Sequence, residues 1–221
     1  MTARAAERLA LALFLYTLAV FALMQGFAIF SNGAGAQELH EFYAPPSAYT
    51  YSLTEAGGAL RVVLLLDLFF MIGYGGALAM TAFANRGRNP VMAVTALVGT
   101  GGLILLDLAE NVTMVLSLDL AENGTVISAG RIIAQVEISS LKWLVAALAV
   151  VALTFTLPRD TMLEKLLIWA ARVMLPLGTG LFVTGAFEAR LLGALLILVG
   201  MAGGFALLAL TIWLRQRRPG P

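Results

Sequence analysis

Ile104-Leu-Leu-Asp-Leu-Ala-Glu-Asn-Val-Thr-Met114 sets Asp107, Glu110 and Asn111 inside a run that is otherwise apolar. At i, i+3 and i+4 the three share one face of a helix, so two carboxylates and a carboxamide point the same way at neighbouring depths. Extended in both directions, the run covers 91–118, more than the roughly 20 residues a bilayer core of about 30 Å requires. The stretch therefore reads as a transmembrane helix whose polar face turns toward other helices.

Composition points the same way. Hydrophobic residues make up 60% of the 221, charged residues only 12%, and the mean hydropathy is +0.90, whereas globular chains carry about 25% charged residues. A net charge of +1 without a long basic run gives no reason to expect nucleic acid as a partner. The chain has no cysteine and a single histidine, His40. Disulfides, thiolate catalysis, iron–sulfur ligation and multi-histidine zinc or haem sites are thus excluded within this chain, and neither a metal nor a cofactor is expected.

Six apolar runs appear, at about 9–30, 59–84, 91–118, 131–157, 166–186 and 191–214. The first follows Arg4 and Arg8 and precedes Ala34-Gly35-Ala36, which has the small-residue look of a signal cleavage site. Its length exceeds a signal core of about 7–15 residues, which favours a retained span. The connection 31–58 carries three acids, no Lys or Arg, and Phe42, Tyr43, Tyr49 and Tyr51 around Pro45-Pro46. An aromatic belt at the membrane surface accounts for it better than a substrate-gating lid.

In the second span Asp67, Met71, Tyr74, Leu78 and Thr81 recur at helical spacing and form a mixed stripe. The third has Gly99-Thr-Gly-Gly102, which permits close helix contact. After it the letters LDLAEN return twelve residues later, in Leu118–Asn123, where they read as a solvated loop. The fourth span places Gln135, Ser139 and Lys142 on one stripe, with Glu137 turned away from Lys142. A kink is expected at Pro176 in the fifth, where Arg172 should snorkel to the membrane surface. Gly193, Gly200 and Gly204 suggest a packing face on the sixth.

Orientation follows from the basic residues of the short loops. Arg4, Arg8, Arg86, Arg88, Arg159, Lys165, Arg215, Arg217 and Arg218 fall on one side of a six-span chain. Only Arg61, Arg131 and Arg190 lie on the other, each at a span edge. The expected fold is all-α, one polytopic six-helix domain over residues 1–221 with both termini cytoplasmic, in a cell membrane and most simply a bacterial inner membrane.

Asp107 and Lys142 each lie eleven residues from the outer end of their span, or about 16 Å deep at a rise of about 1.5 Å per residue. They are expected to pair. Asp67 and Glu110 should lie about 12 Å deep, and Asp67 has Arg61 as its nearest cation in sequence. An ionised group at the centre of a span costs about 2.5–3.5 kcal/mol, so these groups must be paired, protonated or hydrated. Asp67, Asp107, Glu110 and Glu137 outnumber Lys142 and Arg61 by two, and Arg131 could offset one.

The succession of Asp107, Glu110 and Asn111 in one span and Lys142-Trp143 in the next resembles a group of small, uncharacterised bacterial multi-pass proteins with an intramembrane DxxEN motif followed by Lys-aromatic. It covers spans three and four only. The resemblance implies that these residues belong together and implies no activity.

Two functions fit. In the first, a proton- or cation-coupled transporter or channel-like protein, Asp67, Asp107, Glu110, Asn111 and Lys142 handle the ion, with Tyr74, Gln135, Glu137 and Ser139 as secondary candidates. In the second, a membrane scaffold or accessory subunit, the same charges only specify helix packing within a homo-oligomer or larger complex. An intramembrane hydrolase is the weakest reading, because no GxSxG, HExxH or Walker A pattern is present.

Overall fold

A computed structural model of the chain describes residues 1–217, apart from the side chain of Phe187. Arg218, counted above in the basic tail, lies outside the described residues. Within them every regular element is helical: α1 (Ala3–Phe30), a short 3-10 turn (Gln37–His40), α2 (Pro46–Ala84), α3 (Pro90–Glu122), α4 (Ala129–Thr154), α5 (Met162–Thr184) and α6 (Phe187–Arg217). Among the described residues six helices are long and apolar enough to cross a membrane. With no water in a bilayer core, helices satisfy their own backbone donors and acceptors.

Most helix ends follow from local chemistry. Asn89 caps α3 by accepting from Met92 N, and Pro90 occupies the first turn, where its missing N–H removes nothing. Thr161 and Glu164 form a reciprocal capping box at the start of α5. That helix continues unbroken through Pro176.

Two boundaries differ from the sequence expectation. Residues 46–56, read as loop, are a helical segment that joins the second span at Gly57, whose φ of 43° only glycine adopts without strain. The second LDLAEN is helical too, because α3 runs on to Glu122. Twelve residues at 3.6 per turn are three and a third turns, so this copy is rotated about 120° from the first. Asp119 and Glu122 therefore turn to Arg61, whose Nη2 lies 2.6 and 2.5 Å from their carboxylates. Arg61 consequently does not pair with Asp67.

Each helix packs on its successor and α6 returns to α1, so the six form a ring. Close approach on the α3–α4 seam depends on Gly99, where a Cβ would stand 2.8 Å from Ala149 Cβ. Gly193 meets the backbone of Phe182 in the same way, but Gly204 has open space beside it and Gly200 has only Met174 Cβ, at 4.0 Å. The packing face expected of α6 is thus confined to Gly193. At the end holding both termini, Arg215 lies 3.1 Å from Glu7 and 3.8 Å from Glu164, which ties α6 to α1 and α5. Arg172 does not snorkel free: Nε donates to Thr154 Oγ1 at 2.8 Å, and the guanidinium lies over the Phe155 ring.

The opposite end is closed by the α1–α2 connection, which enters the ring. Gln37, His40, Glu41 and Phe42 are all buried. Phe42 packs 5.4 Å from the Phe182 ring, in an apolar cluster with Ala147, Leu175 and Ile197. Tyr49, Leu53 and Leu60 pack with Met114, Leu118 and Ile132 beneath it.

Candidate functional site

Lys142 is the centre of the polar network. Its ammonium hydrogen-bonds Glu110 at very short range and lies 3.2 Å from Asp107 Oδ1 and 3.4 Å from Glu41 Oε1. The common depth of Asp107 and Lys142 thus agrees with the sequence expectation, although Glu110 is the closer partner. Lys142 is 4% exposed and Glu110 fully buried. The ammonium also lies 4.8 Å from the centre of the Trp143 ring, where cation–π attraction contributes.

Around this centre each carboxylate has its own donors. Ser139 Oγ donates to Glu110 at very short range, and Tyr74 donates to Asp107 Oδ2 at 2.7 Å. Asn111 Nδ2 donates to Asp67 Oδ2 at 2.6 Å, while Asn111 Oδ1 accepts from Gln37 Nε2 at 3.0 Å. The same Gln37 amide reaches Glu110 at 3.4 Å, and Trp143 Nε1 donates to Glu41 at 3.2 Å. Asp67, Tyr74, Asp107, Glu110, Asn111, Ser139 and Lys142 are therefore brought together from α2, α3 and α4.

Two secondary candidates do not join them. Glu137 is exposed on the outside of α4, since two residues before Ser139 put it on the far face. Gln135 is buried, yet its amide makes no hydrogen bond. Arg131, the expected offset for the surplus acid, instead donates to Ser117 Oγ and the Thr113 carbonyl. His40, read as an ordinary loop residue, is buried with Nε2 3.1 Å from Ser52 Oγ and Nδ1 unpartnered.

Sequence reasoning missed Gln37 and Glu41. The available signal was a loop with three acids and no base beside a bundle already rich in carboxylate. The aromatic residues around Pro45-Pro46 point instead to an interfacial belt. Glu41, Asp107 and Glu110 surround a single ammonium and Asp67, held by Asn111, adds a fourth carboxylate, so charge balance requires protons or an external cation. Among the described residues no group of three or more His, Asp or Glu side chains is arranged to hold a metal ion, the carboxylates being gathered on Lys142. In the capping segment, burial pushes His40 below the ordinary imidazole range and raises the Glu38 carboxyl.

The cluster borders a cavity of about 310 Å³ whose polar end comprises Gln37, Glu38, Glu41, Asp67, Asp107 and Lys142. Apart from Gln25 and the Tyr74 hydroxyl, the rest of its wall is apolar and draws on all six helices. No family model, curated protein or solved structure matches the chain significantly. Fold and site together define a small helical protein able to span a membrane six times, with a buried carboxylate–lysine cluster.

Proposed function

We propose that the protein is a transporter in which protonation of the carboxylates around Lys142 is coupled to passage of a small molecule. The observation that carries this reading is the cavity, which gives Asp67, Asp107 and Lys142 a common exposed boundary inside the ring. A cluster serving packing alone has no need of such a space. Unequal numbers of carboxylates and ammonium make the net charge of the site depend on bound protons, so that proton uptake changes what the cavity holds. Arg86, Arg88 and Arg159 lie in connections on the side where α1 begins, and Lys165 lies in the adjoining first turn of α5, which supports cytoplasmic termini and an outward-facing cap over residues 31–45.

Reconstitution into liposomes tests this, with an internal pH dye, an imposed pH gradient and a panel of small solutes of either charge offered on one side. Wild type should dissipate the gradient faster than empty liposomes, and Glu110→Gln combined with Lys142→Met should abolish the difference while the protein remains folded. The scaffold reading is supported by the hydrogen-bond donor that Asp107, Asp67 and Glu110 each have within the bundle. It would prevail if wild type and the double variant matched empty liposomes.

A further inference from the structure

The ring is parted at one seam. Toward the termini, α1 and α6 are held by the Phe14 and Phe205 rings, 5.7 Å apart, and by Glu7 with Arg215. Toward the cap the cavity reaches both helices, and Gln25 of α1 and Val199, Gly200 and Gly204 of α6 border it. A Cβ built on Gly203 or Gly204 meets nothing within 4 Å. Val199 and Gly203 are also exposed on the outside of the bundle, so the cavity opens sideways, where the lipid of a membrane would lie. The opening begins near the middle of α6, about 18 Å along the helix from Phe187 at 1.5 Å per residue.

The interior beyond this opening has two chemistries. Phe70, Phe205, Leu208 and Met174 are among the residues that make a long apolar wall, and the acids stand at one end. A volume of about 310 Å³ lies at the lower end of the roughly 300–1,000 Å³ range of small-molecule sites. An anion is disfavoured, because the cluster's one ammonium already faces three carboxylates. A highly hydroxylated solute is disfavoured as well, since the apolar wall leaves its polar groups unpaired. A positive head meets surplus carboxylate, with Tyr74 and Trp143 both lining the space.

We infer that the cavity takes an amphiphilic organic cation, an ammonium head on an apolar body, which passes from the bilayer through the parted α1–α6 seam and seats its head beside Asp67 and Asp107. As a substrate class this rests on the transport reading of the same site; binding itself can be measured without it. The head would supply the positive charge that Lys142 alone cannot, and leaving would require the carboxylates to take up protons.

Dodecyltrimethylammonium and dodecanoate are matched in chain length and opposite in charge, which makes them the probes. Trp143 emission reports binding once Trp169 and Trp213 are replaced by Phe, in phosphatidylcholine nanodiscs with empty discs subtracted. The cation should change the emission saturably, and dodecanoate should need at least tenfold more for half the change. Gly204→Leu, which extends a side chain into the opening, and Asp67→Asn should each raise half-saturation by the cation at least tenfold. Circular dichroism and gel filtration verify folding, and the charge discrimination of the protein carrying neither of these two changes stands if either fails to fold. Equal response to both charges, or unchanged half-saturation in the folded variants, would overturn the inference. Proton flux with and without a sub-micellar gradient of dodecyltrimethylammonium separates the two readings: flux that the cation leaves unchanged, without selective cation binding, rejects this substrate class alone, and selective binding with no flux in either condition rejects the coupling alone.

Discussion

Trp143 Nε1 donates to Glu41 Oε2 across 3.2 Å and a sequence separation of 102 residues. Glu41 thereby accepts from an indole and faces the ammonium of the preceding residue, so one loop carboxylate engages two consecutive side chains of α4. The cap is held from below by charge and from the side by Phe42 packed on Phe182. Gln37, bonded to Asn111 and Glu110, and His40, beside Ser52, add further anchors, and Glu41 is the one that carries charge onto Lys142.

Glu41→Ala should therefore free the cap without unfolding the bundle. Hydrogen–deuterium exchange over residues 37–42 is expected to accelerate at least tenfold, with α3 and α4 unchanged. Equal protection in the variant would show that Phe42 and Gln37 hold the segment by themselves.

Lys142→Met should be among the most damaging substitutions in the chain. Removing one partner of a buried ion pair typically costs about 3–5 kcal/mol, less where the stranded carboxylates take up protons, and removing both can be nearly neutral. Glu110→Gln in the Lys142→Met background should restore much of the loss. Asp107→Asn should restore less, because Lys142 approaches Glu110 more closely. Double-mutant cycles on urea or thermal unfolding in detergent measure both couplings, and equal couplings would contradict the geometry.

How far the sequence reaches is visible in these residues. Helical spacing located Asp67, Asp107, Glu110 and Lys142, since facing and depth within a straight span are local properties set by 1.5 Å and 100° per residue. Partner choice between helices is not local. Arg61 lies six residues before Asp67 yet turns to Asp119 and Glu122, a choice fixed by helix rotation and by how far α3 continues. Gln37 and Glu41 reach the site through a loop path that no periodicity records. The same limit explains Gly204: a glycine stripe shows that a helix face is small but not whether a helix or a cavity lies opposite.

Gly99→Leu should destabilise the bundle by about 1–3 kcal/mol, the usual range for overpacking a tight contact. The obstruction is Ala149, whose Cβ and backbone Cα would lie 2.8 and 3.1 Å from the new Cβ, and backbone yields less readily than a flexible side chain. Gly101→Leu, two residues on and on the far face of α3 with nothing within 4 Å, is the control and should leave the melting temperature nearly unchanged. A similar loss at both positions would mean that leucine disturbs α3 in itself.

Acid should loosen the cap through His40. Its imidazole is buried, with Nδ1 unpartnered, and burial lowers its pKa, so the folded state takes up a proton less readily than the unfolded chain. Stability from this group is complete above about 6.5, the ordinary imidazole value, and is lost as pH falls below it toward the depressed folded value. Glu38 works in the opposite sense: burial raises its pKa, so its contribution is complete below about 4.3 and is lost as pH rises toward the raised folded value. Between these limits acidification weakens the cap through His40 and strengthens it through Glu38. Melting curves of wild type, His40→Gln and Glu38→Gln from pH 4.5 to 7.5 separate the two. The difference between wild type and His40→Gln should change as pH drops through 6.5, with wild type losing more stability. The difference between wild type and Glu38→Gln should change with the opposite sign, wild type losing stability as pH rises. Comparing differences cancels titration of the buried cluster, which all three proteins share. A wild-type curve parallel to that of His40→Gln would show that the histidine keeps its neutral form at no cost, with the acid sensitivity of the cap residing elsewhere.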